Sequence, residues 1–167
     1  MKTIYSGAIC AVLCLAAATA QAADVTITIN GQVVAKPCTI STTTANVSLG
    51  TLSTSTLQSA GSVSDWKAVA LNLTNCPVGT SSVKATFTGT SDSTGTYFLN
   101  QGTAGNIAVQ LADSSRNIIT NGGTLTSAVS DSTLSTTFNL EVRTITSSGS
   151  ATQGSIQSVV NVTYTWQ

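Results

Sequence analysis

The chain has 167 residues and little charge: six Lys and Arg, six Asp and Glu, no His, and a formal net charge of 0. That excludes a nucleic-acid surface, which needs clustered cations, and it leaves little for acid–base or metal chemistry. The length suits one domain behind an export segment.

Residues 1–22 read as a signal peptide. Lys2 supplies the positive start, Ala8 to Ala18 an apolar run too short to span a bilayer, and Ala20-Gln21-Ala22 a small-x-small cleavage site. The expected mature chain is 23–167, without Cys10 and Cys14. It keeps Cys38 and Cys76, which in an exported protein predict one disulfide.

Residues 23–35 follow as an extension. From Val25 to Ile29 the chain alternates strictly, so Val25, Ile27, Ile29 and Val33 share one apolar row with a gap at Gly31, opposite Thr26, Thr28, Asn30 and Gln32. Two readings compete. The stretch is a spare strand, or Asn30-Gly31 turns a hairpin.

The body, 36–167, reads as short alternating strands between Gly, Asn, Asp and Ser turns, which predicts an all-β sandwich. A first strand is expected over 33–40, carrying Cys38, and a short edge piece at Val47 to Gly50. Residues 51–64 read as a loop. Further strands are expected from Trp66 to Cys76, through Val83, Ala85 and Phe87, through Ile107, Val109 and Leu111, and through Phe138, Leu140 and Val142. No segment holds a helical period.

The final strand is expected to open at Gly154, with Val160, Val162, Tyr164 and Trp166 on one face, and to run to Gln167. About six main strands result, where an immunoglobulin-like sandwich has seven. A spare strand at the front and a vacancy beside the last strand fit each other. If the spare strand fills its own vacancy, the protein is a closed monomer; if it fills a neighbour's, the chain is a link in a head-to-tail polymer.

The segments 23–31, 33–38, 73–80 and 153–157, with Gly154 fourteen residues from the end and an aromatic at the penultimate position, resemble chaperone–usher pilins. A tyrosine is expected at that penultimate place, and Trp166 keeps the aromatic character. The resemblance implies an incomplete immunoglobulin-like sandwich lacking its last strand, completed by a donor strand from another subunit. Val25, Ile27, Ile29, Gly31 and Val33 would face the neighbour's groove, with Gly31 where a side chain would not fit. The spare-strand reading then outweighs the hairpin. The chain's own groove would be lined by the first body strand and by Val160, Val162, Tyr164 and Trp166, with the Gln167 carboxylate anchored by a basic pair of the chaperone. The implied partners are a periplasmic pilus chaperone, an outer-membrane usher and neighbouring fimbrial subunits, including a tip adhesin. The implied role is a structural subunit of a type 1-like fimbrial tip in bacterial adhesion, exported through the periplasm of a Gram-negative cell to the surface.

Two other functions compete with this one. An enzyme is not expected: Asp24, Asp65, Asp92, Asp113, Asp131 and Glu141 mostly stand alone in turns, and no phosphate loop or metal cluster calls for a cofactor. A secreted carbohydrate-binding β-sandwich is the stronger rival, with Trp66, Tyr97, Phe98 and Trp166 as the aromatics to watch.

Overall fold

The structure, a computed structural model, describes residues 27–32 and 36–167. The expected signal peptide, Val25 and Val33 lie outside the described residues. The chain divides into two units, Met1–Val33 and Val34–Gln167. In the first, residues 27–32 join no sheet, and Ile27 and Ile29 are 78% and 88% exposed.

The second unit is all-β apart from one 3-10 turn, Thr54–Leu57, capped by the Ser53 hydroxyl. Its strands in chain order are β1 (Thr39–Ile40), β2 (Lys67–Thr74), β3 (Ser82–Gly89), β4 (Phe98–Leu99), β5 (Ala108–Asp113), β6 (Ile118–Ile119), β7 (Thr124–Ala128), β8 (Thr136–Ile145) and β9 (Val160–Trp166). One sheet is ordered β1-β2-β8-β5-β4, with β6 also on β5; the other is β7-β3-β9. Every pairing is antiparallel.

Alternation explains why these segments pair as they do. In β3, Val83, Ala85 and Phe87 are fully buried while Thr86 and Thr88 turn outward. In β8, Thr136, Phe138 and Leu140 face inward, and the strand lies between β2 and β5 at the centre of the larger sheet. The inner rows meet in one core around Leu73, Phe87, Phe98, Leu111 and Phe138. Each such side chain contributes roughly 1.5–3 kcal/mol on burial. The turn from β5 to β6 is tied by Asp113, whose carboxylate accepts from the backbone N–H groups of Ser115 (2.8 Å) and Asn117 (2.9 Å) and from the Asn117 amide (2.8 Å). Those bonds, the Asn117 amide first, hold its carboxyl below the usual carboxylate range.

Several expectations are corrected. The first body strand over 33–40 shrinks to Thr39–Ile40 among the described residues, on Thr74 and Leu73 of β2. Val47 to Gly50 joins no sheet. The last strand opens at Val160 and not at Gly154, because 153–158 is fastened to a neighbouring loop. Strands β4 and β7 went unread. In β7 only Leu125 is large and apolar, and its pairing is imposed by β3 through Ser82↔Ala128 to Thr86↔Thr124.

Candidate functional site: an open groove beside the last strand

Strand β9 pairs along one side only, with β3, from Gly89↔Val160 to Val83↔Trp166. Its other edge carries no ladder among the described residues, an arrangement that invites another strand. The burial of its two rows tells the same story. Asn161, Thr163 and Thr165 are exposed, while the inward-facing Val160, Val162, Tyr164 and Trp166 are only half-buried. Directly across the ladder, Val83, Ala85 and Phe87 are completely covered. The core is therefore closed on the β3 side and open on the β9 side.

The opening is a groove of about 320 Å³. Its floor is apolar: Val69 and Leu71 from β2, Phe87 from β3, Val109 and Leu111 from β5, and Leu140 and Val142 from β8. One wall is Val160 and Val162 with Ile156. The other is the segment 45–49, which points Val47 and Leu49 into it. Through Val47, Leu49 and Ile156 the groove adjoins a second hollow of about 540 Å³ above Leu52, Leu57 and Ile107.

The expected groove residues fall into two sets. Val160 and Val162 line it. Tyr164 and Trp166 stand outside its lining, further along β9, where Tyr164 packs on Phe138 at 5.8 Å and on Trp166 at 6.4 Å between ring centroids. Burial pushes the Tyr164 phenol up. Among the described residues, those of the segment 45–49 also line the groove, and 36–40 of the expected first body strand do not. Gln167 exchanges hydrogen bonds with Ser82: its N–H donates to the Ser82 carbonyl (2.9 Å), and its main-chain oxygen accepts from the N–H groups of Ser81 (2.8 Å) and Ser82 (3.2 Å). Cys38 and Cys76 are joined by a disulfide that ties the start of the body to the end of β2.

Sequence reasoning missed the clasp that holds the groove's near end. The Asn100 amide donates to the Ala104 carbonyl (2.8 Å) and the Ser155 carbonyl (3.3 Å), and its oxygen accepts from Gly102 N–H (3.0 Å) and Gln157 N–H (2.8 Å). Gly154 lies so close to this loop that a Cβ there would collide with the backbone of Thr103 and Ala104. Ile156 is thereby set into the wall. An Asn100→Ala chain is expected to lose about 1–3 kcal/mol, read as a lower urea midpoint, with amide exchange accelerated selectively at 154–158.

Of the aromatics that a sugar platform would need, Phe98 and Trp66 are engaged elsewhere, while Tyr97 is half-buried. Phe98 is fully buried. The Arg143 guanidinium lies 4.1 Å from the centroid of the Trp66 ring, covering a face, and donates to Gln110 Oε1 at 2.6 Å. Among the described residues no group of three His, Cys, Asp or Glu side chains could hold a metal ion.

Comparison with known proteins agrees with this geometry. Residues 27–167 match the family model described as "Fimbrial protein". The chain is 59% identical over 156 residues to Protein FimG of Escherichia coli K12, covering 93% of each chain. It is 50% identical over 168 residues to the fimbrial-like protein YdeR of the same strain, covering the whole of both. A subunit of a chaperone–usher pilus, solved to explain rod uncoiling, superposes with a TM-score of 0.66 at 24% identity, over 90% of this chain and all of that one. An all-β chain with an immunoglobulin-like pilin fold and these relatives belongs to the fimbrial protein family, as a type 1-like fimbrial subunit that joins other subunits in a surface fimbrium.

Proposed function

We propose that this chain links two neighbours in the fimbrial tip by exchanging strands with both. Its extension, residues 23–35, lies in the groove of the subunit ahead, with Val25, Ile27, Ile29 and Val33 in apolar pockets and Gly31 over a shallow point. Its own groove receives the extension of the subunit behind, which pairs with the free edge of β9 and covers Val160 and Val162. The likeness to FimG supports a tip position next to the terminal adhesin. Before assembly a periplasmic chaperone lends the missing strand and holds the Gln167 carboxylate, and at the outer-membrane usher the neighbour's extension replaces it.

The observation that carries this reading is the contrast across one ladder: Phe87 is fully covered, while its partner Val162 stands half-exposed at an apolar groove. Thiol footprinting tests it. Val162→Cys is expected to react with a small maleimide in the isolated chain and to be protected in assembled fibres. Asn161→Cys, on the outer face, should be labelled in both. Equal labelling of Val162→Cys in the two states would overturn the proposal.

A further inference from the structure

The chain contains two Asn-Gly steps, Asn30-Gly31 and Asn121-Gly122. This dipeptide is the one most prone to deamidation, because glycine leaves its amide nitrogen unshielded. The nitrogen of the glycine attacks the asparagine side-chain carbonyl carbon. Ammonia leaves, a five-membered succinimide forms, and water opens it to aspartate or to isoaspartate. The net change is asparagine plus water to the acid plus ammonia, without oxidant or cofactor. The reaction needs a backbone free to fold the side chain onto the next nitrogen.

The two steps differ in that freedom and not in exposure, since all four residues are exposed. Asn121 is locked. Its side-chain oxygen accepts from Gly89 N–H at 3.0 Å, and the attacking nitrogen, Gly122 N, is committed to the Phe87 carbonyl at 2.7 Å. Gly122 is held at φ 79 in that turn. Asn30 lies in the stretch 27–32, which joins no sheet among the described residues, and a Cβ on Gly31 would meet nothing within 4 Å. We propose that Asn30 is a self-modification site, converting through a Gly31 succinimide to aspartate and isoaspartate, and that this limits how long an undonated extension stays competent.

The second clause rests on the donor-strand reading. By parity Asn30 sits on the outward row, so plain aspartate places a charge in solvent and is tolerated. Isoaspartate is different. It routes the main chain through the side-chain carbon and adds one methylene to the backbone. Every N–H and carbonyl beyond residue 30 then leaves its register, and Gly31 and Val33 no longer meet the positions set by Ile27 and Ile29. Once seated as a strand the backbone is extended and hydrogen-bonded, so donation itself protects the residue.

The test has two arms. In the first, the mature chain is incubated at mildly alkaline pH and mapped by mass spectrometry, with isoaspartate detected by methyl transfer from an isoaspartyl methyltransferase. The peptide holding Asn30 is expected to gain one mass unit and accept methyl groups at least about tenfold faster than the peptide holding Asn121, since a local opening free energy of about 1.4 kcal/mol is already a factor of ten. Asn30→Gln should abolish the fast phase. Equal rates at the two steps overturn the proposal. In the second arm, peptides 23–35 with asparagine, aspartate or isoaspartate at position 30 are added in excess to the mature chain. The first two are expected to raise its melting temperature and the third to leave it unchanged. Stabilisation by all three overturns the lifetime claim. No stabilisation by any means that this groove rejects the chain's own extension and overturns the lifetime claim, while the chemistry is decided by the first arm and the donor-strand reading by the footprinting of Val162→Cys.

Discussion

Appending residues 24–35 to the C-terminal end of the body through a flexible linker is expected to stabilise residues 36–167 by about 3 kcal/mol or more, raising the melting temperature by roughly 10 °C. The direction follows from what the groove lacks. Val69, Val142, Val160 and Val162 are only partly covered, although each packs against a core that is otherwise closed. The free edge of β9 keeps its backbone groups in water, and the opposite wall, 45–49, joins no sheet. A strand laid between them buries four apolar side chains of its own, each contributing roughly 1.5–3 kcal/mol before the cost of ordering it. It covers the exposed rows of the body at the same time. The linker lets it run back antiparallel to β9. The check is a pair of urea unfolding curves, and the extended chain should also show the larger slope, because more surface is exposed when it unfolds. Ile29→Asp within the appended strand should return the curve to that of the bare body, since an unpaired carboxylate cannot enter an apolar groove cheaply. If the bare body is already cooperative and the added strand changes nothing, the sandwich is complete, and the carbohydrate-binding reading takes first place.

Legibility in the sequence followed how far each segment's structure is decided locally. Strands β3 and β8 were legible because every second residue is apolar and buried: Val83, Ala85, Phe87; Phe138, Leu140. The start of β9 was misplaced because Ile156 continues the apolar row from Gly154. Hydrogen bonds from Asn100, more than fifty positions away, pull 154–158 out of the ladder. Nothing in the parity of residues 154–160 records that clasp. Strand β7 was invisible for the complementary reason: Thr124-Leu125-Thr126-Ser127-Ala128 has no row of its own and forms by templating on β3. The groove was half legible. Alternation put Val160 and Val162 on one face, the family resemblance implied that this face lines a groove, and Val47 and Leu49 were read as an edge piece. That 45–49 walls the groove opposite β9 depends on a tertiary placement that no local pattern encodes.

Removing the disulfide, by C38S together with C76S, is expected to cost about 4 kcal/mol, the loop-closure entropy of a 38-residue separation in the chain-entropy model. The melting temperature should fall by more than 10 °C, and adding a reductant to the unaltered chain should reproduce the shift. The position of the bond gives it a second consequence. Cys38 stands three residues beyond the expected end of the extension, and the segment that follows holds the body by a short attachment to β2: the ladder positions Thr39↔Thr74 and Ile40↔Leu73, and the Ser41 and Thr42 N–H groups on the Asn72 carbonyl. In a fibre under tension the pull of the neighbour enters the body at this point. With the disulfide present it passes covalently to Cys76 at the end of β2. That strand is paired with β8 over seven residues in the middle of the larger sheet. Without it, the load falls on residues 39–42, and that short attachment should peel before the core yields. Force spectroscopy on tandem chains is expected to show a new low-force extension in the double variant, which releases the slack between residue 36 and β2. Its absence in the variant would mean that the short attachment of residues 39–42 to β2 bears the load without the disulfide.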